Sequence, residues 1–343
     1  MNKVRVAMIG CGSIAEYHAS HLIEMDDVNV VAVADPISER AEKLAKMFNA
    51  HQYRDHQELN DNEPDVDAVY VCIPPYAHTE QTEIPFIRRG CGMYIEKPMA
   101  LELGLARKVQ DEIARAGIVN TVGFQLRYLS FLQNARAFVD AYQPETIYAN
   151  RIGGLPGVSW FNLMSQSGGQ MVEQNIHTID MLRYILGDVA KVYGVASSNM
   201  GKHDLAFDIH SSSSAILTFK SGHIVTVNTG CYIPPAPAKK KGLDLHVEGA
   251  TAAPDYNHLM MIGAHGVGQC NYFSKFTQWD STGQCEVFED TSDFGFTADR
   301  AFIDAVKSNN PSGVLSPYYD AYKTLQTALA INESFSTGKE VSL

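Results

Sequence analysis

The chain of 343 residues is long for one domain and is predicted to form two. Its composition, 45% hydrophobic and 19% charged, is typical of a globular protein, and its net charge of −12 argues against nucleic acid or an anionic membrane surface as a partner. No apolar run reaches the roughly 20 residues that span a bilayer, and the six cysteines form no CxxC pair, so we expect a cytoplasmic protein with reduced thiols.

Strand-like and helical segments alternate over the first third of the chain. The predicted strands are 4–9, 28–35, 66–74, 92–98 and 118–124, and the helices between them are 14–25, 38–48, 78–90 and 101–117. Such alternation indicates crossover connections on a parallel sheet. We therefore predict the α/β class, with a Rossmann domain built on a doubly wound parallel sheet over residues 1–123.

The first turn of this domain, GCGSIA, has the pattern of a dinucleotide-binding loop. Gly10 permits the tight turn, Gly12 lets the backbone approach a pyrophosphate, and Ala15 takes the position of a third glycine. Ser13 and Ile14 open the following helix, whose free N–H groups favour phosphate binding.

Asp35 ends the second predicted strand, about 20 residues after the glycine loop. A carboxylate at this position accepts hydrogen bonds from the adenosine ribose and repels a 2′-phosphate, so the sequence predicts NAD as cofactor and favours it over NADP. Two alternatives stay open: Asp35 as a turn residue before Pro36, and Arg40 as a contact for a 2′-phosphate.

Three further strand ends carry unusual residues, and ligands of such sheets bind outside the carboxyl ends of the strands. They are Pro74 and His78 after the third strand, Glu96 and Lys97 after the fourth, and Gln125 and Arg127 after the fifth. Pro98 ends the fourth strand at Lys97, and we expect the Lys97 ammonium at the rim where a nicotinamide would lie. The alternatives are that Lys97 extends into solvent, that the prolines only terminate their strand, and that His78 is merely solvent-exposed.

The alternation stops after about residue 124. Strands are predicted at 146–154, 189–199, 211–222, 223–232, 243–249, 257–263 and 285–290, and helices at 130–142, 299–308 and 319–336. This pattern predicts an α+β domain over residues 124–343 with a large, mostly antiparallel open sheet, one face of which is solvated or packed on a partner subunit. The last helices are candidates for packing on the first domain. The segment PPAPAKKKG, 234–242, is predicted to be a solvated loop, with a mobile flap as the alternative.

The segment 167–188 has helical spacing of its apolar residues and is predicted to be one helix that ends at Gly187. Glu173, His177 and Asp180 then share one face at i, i+4 and i+7. A histidine between two carboxylates suits a general base. The alternative is a histidine packed near a ladder of ion pairs.

The chain resembles the glucose–fructose oxidoreductase / inositol dehydrogenase / MocA (Gfo/Idh/MocA) family over essentially its whole length. The resemblance rests on four motifs that occur in the order and spacing of this family: GCGSIA, ADP at 34–36, EKPMA at 96–100 and GG…EQNIHTID at 168–180. The resemblance implies that Lys97 is the catalytic lysine and His177 the acid/base histidine. The family commonly has an aspartate where this chain has Glu173, and frequently an asparagine where it has Gln125. The resemblance also implies a homodimer or homotetramer.

These residues suggest a mechanism in which a secondary ring alcohol of a sugar, cyclitol or glycoside gives a hydride to nicotinamide. Lys97 would stabilise the developing alkoxide, and His177, oriented by Glu173 or Asp180, would remove the hydroxyl proton, with both side chains meeting the alcohol between the two domains. The predicted substrate pocket comprises Lys97, Arg127, Arg151, Trp160, Asn162, Glu173, Asn175 and His177. The Trp160 indole would cover the apolar face of the substrate ring, or it is a core aromatic. No metal is predicted.

Three classes of function stay open at this point. The first is an NAD-dependent dehydrogenase for a small carbohydrate-like substrate, and the second is an NAD-retaining glycosidase that oxidises, eliminates and re-reduces. The third is a non-catalytic nucleotide sensor. The presence of Lys97 and His177 favours catalysis, because a binding module has no need of an acid/base pair.

Overall fold

The structure, a computed structural model, describes residues 3–154, 156–197, 207–231 and 257–343. It divides into a first unit, Met1–Tyr128 with Ser292–Leu325, and a second unit, Leu129–Thr291 with Gln326–Leu343. The chain therefore leaves the first unit after Tyr128 and returns to it at Ser292. No helix among the described residues is long and apolar enough to cross a membrane.

The helices and strands of the described residues are numbered in chain order. The strands are β1 (Val4–Ile9), β2 (Val28–Ala34), β3 (His51–Tyr53), β4 (Ala68–Val71), β5 (Gly92–Ile95), β6 (Asn120–Val122), β7 (Thr146–Ile152), β8 (Val189–Ser197), β9 (Ser212–Phe219), β10 (Ile224–Gly230), β11 (His258–Gly263), β12 (Gly266–Asn271), β13 (Lys275–Asp280), β14 (Cys285–Glu289) and β15 (Val341–Ser342). The α-helices are α1 (Ser13–Leu22), α2 (Ser38–Phe48), α3 (His56–Asn62), α4 (Glu80–Arg88), α5 (Leu103–Ala116), α6 (Leu132–Tyr142), α7 (Met164–Ser167), α8 (Gly169–Glu173), α9 (Ile176–Leu186), α10 (Phe294–Ser308) and α11 (Tyr318–Thr337).

The sheet of the first unit has six strands in the order β3-β2-β1-β4-β5-β6, and every pair is parallel. This is the strand order of the dinucleotide-binding doubly wound fold, and it confirms the predicted Rossmann sheet. All residues of β4 and β5 are buried, as expected for strands of a parallel sheet with helices on both faces.

Helix α10 belongs to this first unit although it lies far along the chain. Its Phe302 is fully buried and meets Tyr70 of β4 and Tyr94 of β5 edge-on, while those two rings stack with centroids 4.7 Å apart. Large aromatic rings packed in this way contribute strongly to a core. The return of the chain at Ser292 therefore completes one face of the Rossmann sheet.

The sheet of the second unit has nine strands in the order β14-β13-β12-β11-β7-β10-β9-β8-β15. All pairs are antiparallel except β7 with β10, which are parallel. This confirms the prediction of a large, mostly antiparallel sheet. The predicted loop at 234–242 and the predicted strand at 243–249 lie outside the described residues.

Candidate active site

The glycine loop after β1 has two glycines with different physical roles. Gly10 has a φ of +86°, and a Cβ built on it would lie 2.2 Å from the carbonyl oxygen of Cys72, so the fold itself requires glycine there. A Cβ on Gly12 would meet no protein atom within 4 Å. Ser13 is exposed at the start of α1, and the N-cap residue of this helix, Gly12, has no side chain to cap the N–H groups of the first turn. The open side of Gly12 and these N–H groups fit a dinucleotide pyrophosphate.

Asp35 follows β2 and lies against the glycine loop. Its Oδ2 accepts a hydrogen bond from the Cys11 N–H and its Oδ1 one from the Ile37 N–H, both at 2.8 Å. The two backbone donors fix the carboxylate, which is 7% exposed. Its remaining lone pairs can accept hydrogen bonds from ribose hydroxyls, so the residue fits the predicted cofactor.

Glu96 and Lys97 follow β5, and the peptide between Lys97 and Pro98 is cis. Lys97 is half-buried, and its N–H donates to Glu96 Oε2 at 3.2 Å. Glu96 is 3% exposed and its Oε1 lies 3.5 Å from Gln125 Nε2. A Cβ on Gly123 would lie 2.2 Å from Glu96 Oε1, so the glycine makes room for this carboxylate. The structure thus brings Glu96, Lys97 and Gln125 together within the first unit.

A buried chain of hydrogen bonds that the sequence analysis missed continues from Glu96. His18 of α1 is fully buried, and its Nε2 lies 3.1 Å from Glu96 Oε1 while its Nδ1 lies 2.8 Å from Asp299 Oδ1 of α10. His21 Nδ1 contacts the other oxygen of Asp299 at 2.6 Å. Because carboxylates accept at both ring nitrogens of His18, both nitrogens carry protons and the ring is an imidazolium.

Electrostatics support this protonation state. Burial alone would lower the pKa of His18, but the charges and hydrogen bonds of Asp299 and Glu96 outweigh that effect and raise the pKa to about 10. Burial alone would also raise the pKa of the Asp299 carboxyl, whereas the His18 and His21 pairs hold it below its ordinary value. His18, His21 and Asp299 also come close enough to hold a metal ion, but a cation would have to replace the proton of His18.

Replacing His18 with glutamine is expected to lower the free energy of unfolding by about 3–5 kcal/mol near pH 6, because two buried carboxylates lose their counter-charge. The pKa of His18 is raised above its ordinary value of 6.5, so its stabilisation is fully present below pH 6.5 and is lost as pH rises through about 10. Denaturant melts of both proteins at pH 6, 8 and 10 measure this effect. The difference should shrink with pH, whereas a pH-independent difference would contradict the charged pair. His265→Gln, at an exposed position, is the control.

His78 and Pro74 follow β4. His78 is 5% exposed, so the interpretation that it is a solvent-exposed residue is wrong. Its Nδ1 lies 2.7 Å from Oε1 of Glu83 on α4, which is itself buried. Pro74 is half-buried and precedes a 3₁₀ turn, 75–77. A cofactor contact for these two residues stays a prediction.

The Arg127 side chain contacts the later part of the first unit, Ser292–Leu325. It is buried, its Nη2 lies 2.6 Å from Asp320 Oδ2, and its Nη1 donates to the Leu315 carbonyl oxygen at 2.7 Å. A buried arginine that binds a carboxylate with one nitrogen and a backbone carbonyl with another holds chain segments together. We therefore leave Arg127 out of the substrate set proposed below.

The segment predicted as one helix over 167–188 is divided in the structure. Helix α8 ends at Glu173 and α9 begins at Ile176. The Asn175 N–H bonds to the carbonyl oxygen of Gln170, five residues earlier, which widens the turn and interrupts the helical hydrogen bonds. The prediction of a single helix that carries both Glu173 and His177 is therefore wrong, while the facing of these two side chains stays a prediction. His177 and Asp180 do share α9, three residues apart.

Arg151, near the end of β7, interacts with Glu173, Tyr272 and Phe273 of the second unit. Burial lowers its pKa, and the opposing charges of Tyr272 and Glu173 partly offset this shift. Its guanidinium lies 5.4 Å from the ring centroid of Phe273. The Tyr272 hydroxyl donates to Oγ1 of Thr178 at 3.3 Å, and Thr178 follows His177 in α9. Arg151 thus interacts electrostatically with Glu173, and the 272–273 segment contacts both Arg151 and Thr178, the residue after His177.

The other predicted substrate residues of this unit are Trp160, Asn162 and Asn175, of which only Asn175 is fully buried. Trp160 is half-buried and packs against a small apolar cluster that includes Phe161 and Ile209, which favours a core role. Asn162 is half-buried. Asn175 is fully buried, its Nδ2 lies 3.1 Å from Met171 Sδ, and its Oδ1 has no hydrogen-bond partner among the described residues. The Asn175 side chain therefore contacts α8 from the break between α8 and α9, and its role towards a substrate stays a prediction.

Two family models match this chain. The model described as "Oxidoreductase family, NAD-binding Rossmann fold" matches residues 4–124. The model described as "GFO/IDH/MocA C-terminal domain" matches residues 134–253. Between them they cover most of the chain.

Individual proteins are similar to this chain as well. Scyllo-inositol 2-dehydrogenase (NAD(+)) of Bacillus subtilis is 27% identical over 56% of this chain and 57% of its own length. D-glucoside 3-dehydrogenase of Escherichia coli is 35% identical over 54% of each chain. The chain thus spans little more than half of the length of these relatives. The solved complex of levoglucosan dehydrogenase with NADH and levoglucosan has a TM-score of 0.82 at 17% identity and covers 99% of both chains, a likeness in fold.

Proposed function

We propose that this chain, which belongs to the Gfo/Idh/MocA oxidoreductase family, is an NAD-dependent dehydrogenase that oxidises a secondary alcohol of a small carbohydrate-like substrate. The observation that carries the proposal is that the glycine loop, Asp35 and Lys97 follow β1, β2 and β5 of one parallel sheet. Carboxyl ends of parallel strands share one edge, where such sheets bind their ligands. A cofactor loop and an ammonium at the same edge suit hydride transfer.

The reaction needs two protein groups besides the cofactor. Bound NAD supplies the hydride acceptor. The Lys97 ammonium stabilises the negative charge that develops on the alcohol oxygen, and His177 takes the hydroxyl proton as general base. The alcohol thereby loses a hydride and a proton and becomes a ketone, and the proton passes from His177 to solvent.

The supporting carboxylates have separate roles in this proposal. Asp180 is 1% exposed and lies three residues after His177 on the same helix, so we assign it the orientation of the imidazole. Glu173 lies on α8 and interacts electrostatically with Arg151. We assign these two residues to hydroxyl groups of the substrate, because carboxylates accept and guanidinium groups donate hydrogen bonds.

The proposed substrate is a sugar, cyclitol or glycoside with a free secondary ring hydroxyl. Relatives named as inositol and glucoside dehydrogenases support this class. The test is to incubate the purified chain with NAD and a panel that includes myo-inositol, scyllo-inositol, D-glucose and methyl β-D-glucopyranoside, following NADH absorbance. NADH formation supports the proposal. Release of an aglycone without NADH would favour the NAD-retaining glycosidase, and neither signal across the panel would favour the sensor.

Replacing Asp35 with alanine is expected to weaken NAD binding and to lower the preference for NAD over NADP by about 10- to 100-fold, because the variant loses the ribose acceptor and the charge that repels a 2′-phosphate. Calorimetric titration with each cofactor measures the two dissociation constants. Asp26→Ala, at an exposed position of the same unit, should match the parent chain. An unchanged preference in Asp35→Ala would remove Asp35 from the ribose site.

A homodimer or homotetramer is part of this proposal. One face of the second sheet carries Tyr193, Val195, Ile216 and Ile224, which are 40–57% exposed. Tyr193 is the cross-strand partner of Ile216, so these side chains form one continuous patch. Apolar patches of this kind are typical of protein interfaces. Light scattering should give at least twice the mass of one chain, and a monomer would contradict the interface.

A further inference from the structure

Phe273 has a backbone conformation that does not suit its residue type. It has a φ of +66° and occupies the third position of the turn 271–274, in which the Ser274 N–H donates to the Asn271 carbonyl oxygen at 3.1 Å. A positive φ at this position is normally taken by glycine or asparagine, and a bulky side chain is strained there. Strained residues that persist in a fold cluster at functional sites.

The turn that holds Phe273 lies at the same end of the sheet as the carboxyl end of β7. His258 at the start of β11 pairs with Asn150 of β7 on one side and with Asn271 of β12 on the other. Arg151 follows Asn150 directly. The chain therefore passes from β12 to β13 beside the residues that β7 contributes to the candidate active site.

The Phe273 ring has one face towards Arg151, whose guanidinium lies 5.4 Å from the ring centroid. An aromatic ring has two faces of negative potential, and this side chain remains 43% exposed. The preceding residue, Tyr272, is only 8% exposed and anchors the turn to Thr178, next to His177. The half-exposed Phe273 ring beside Arg151 therefore presents apolar surface to solvent, where a ligand can contact it.

We propose that Phe273 is a substrate-binding residue, whose exposed ring surface packs against the apolar C–H face of a sugar or cyclitol. This inference rests on the dehydrogenase function proposed above and adds a specificity residue to it. The aliphatic hydrogens on one face of such a substrate ring carry partial positive charge and suit the negative face of an aromatic ring. The role that the sequence assigned to the Trp160 indole is taken by Phe273.

The test measures substrate binding and thermal stability separately. The proposal predicts that removal of the Phe273 ring weakens substrate binding and does not lower stability. In Phe273→Gly, the KM for whichever of myo-inositol, scyllo-inositol or methyl β-D-glucopyranoside the parent chain oxidises should rise by about 10-fold. Its kcat should change by less than about 3-fold, and its Tm should stay equal or rise, because glycine relieves the positive φ. Phe273→Tyr, which keeps the ring, should hold KM within about 2-fold. Phe273→Leu, which keeps the side chain but lacks a π face, should raise KM as glycine does.

Gln143→Gly is the matched control, because Gln143 is exposed, has a φ of +45° and belongs to the same unit. It should leave KM unchanged. An unchanged KM in Phe273→Gly and Phe273→Leu would overturn the proposal, and so would a lowered Tm in Phe273→Gly, since the ring would then serve packing. A parent chain that oxidises none of the three compounds would instead defeat the proposed function, and this inference with it.

Discussion

Replacing Lys97 with alanine is expected to lower kcat by about 100- to 1,000-fold while the dissociation constant for NAD stays within about 3-fold of the parent value. The ammonium follows β5 at the edge where the cofactor loop lies, and its proposed partner is the alkoxide that develops only during hydride transfer. Removing one such stabilising group commonly costs about 10²–10³ in kcat, whereas ground-state binding is largely retained. Steady-state kinetics and calorimetric titration with NAD measure the two quantities.

The control for this experiment is another lysine of the same unit. Lys108 is exposed and forms an ion pair with Glu80 at 2.6 Å, so Lys108→Ala should retain parent kinetics. Near-parent turnover in Lys97→Ala would contradict the catalytic role and support the alternative that Lys97 extends into solvent. A large loss of NAD affinity would make it a cofactor ligand rather than a catalytic group.

Replacing His177 with asparagine is expected to lower kcat by about 10²–10⁴-fold, because the hydroxyl proton loses its acceptor. The variant should also lose the acid limb of the pH profile of kcat/KM, in which protonation of the base abolishes activity. His177 occupies the first turn of α9, directly before the anchored Thr178, so the smaller amide is accommodated at the helix start.

The pH profile separates a chemical role from a structural one. A variant that is slow but keeps the acid limb of the parent chain would show that another group titrates, and His177 would then be a packing residue. His265→Asn, at an exposed position of the second unit, should reproduce the parent profile. Thermal melts of each variant check that the loss of activity does not reflect unfolding.

The sequence predicted most of the first unit because local signals there agree with one another. Buried runs such as β1 and β4 are followed within three residues by a glycine or a proline, and amphipathic helices lie between the strands. The short edge strand β3, His51–Tyr53, was missed. Its three residues are polar or aromatic and largely exposed, so no apolar run marks it, and it exists because β2 offers a free edge.

The second unit was predicted less completely, because several of its strands, like β3, have no apolar pattern of their own. Strands β12 and β13 contain few alternating apolar residues and were not predicted, since their pairing with neighbours rather than their own pattern defines them. The parallel pairing of β7 with β10 joins segments far apart in the chain. A local pattern carries no information about such a partner.

In the candidate site, too, the sequence reveals residues that belong to local motifs and misses residues whose partners are distant in the chain. Motif residues such as Gly12, Asp35 and Lys97 could be proposed from the sequence because their spacing carries the signal. His18 was not found, because its carboxylate partner Asp299 lies 281 positions away, although two histidines three apart in α1 were a visible hint. Phe273 gave no sequence signal at all, since only the backbone angle of its turn marks it as unusual.

Transfer of deuterium from substrate to cofactor tests the proposed dehydrogenase most directly. The chain would be incubated with NAD and with inositol deuterated at all six ring carbons or with perdeuterated D-glucose, and the released cofactor would be analysed by mass spectrometry. A dehydrogenase releases NADH that carries one substrate deuterium, together with an equal amount of ketone. NAD that is bound but never labelled, or label that appears only on cofactor retained by the protein, would contradict net oxidation of a ring alcohol.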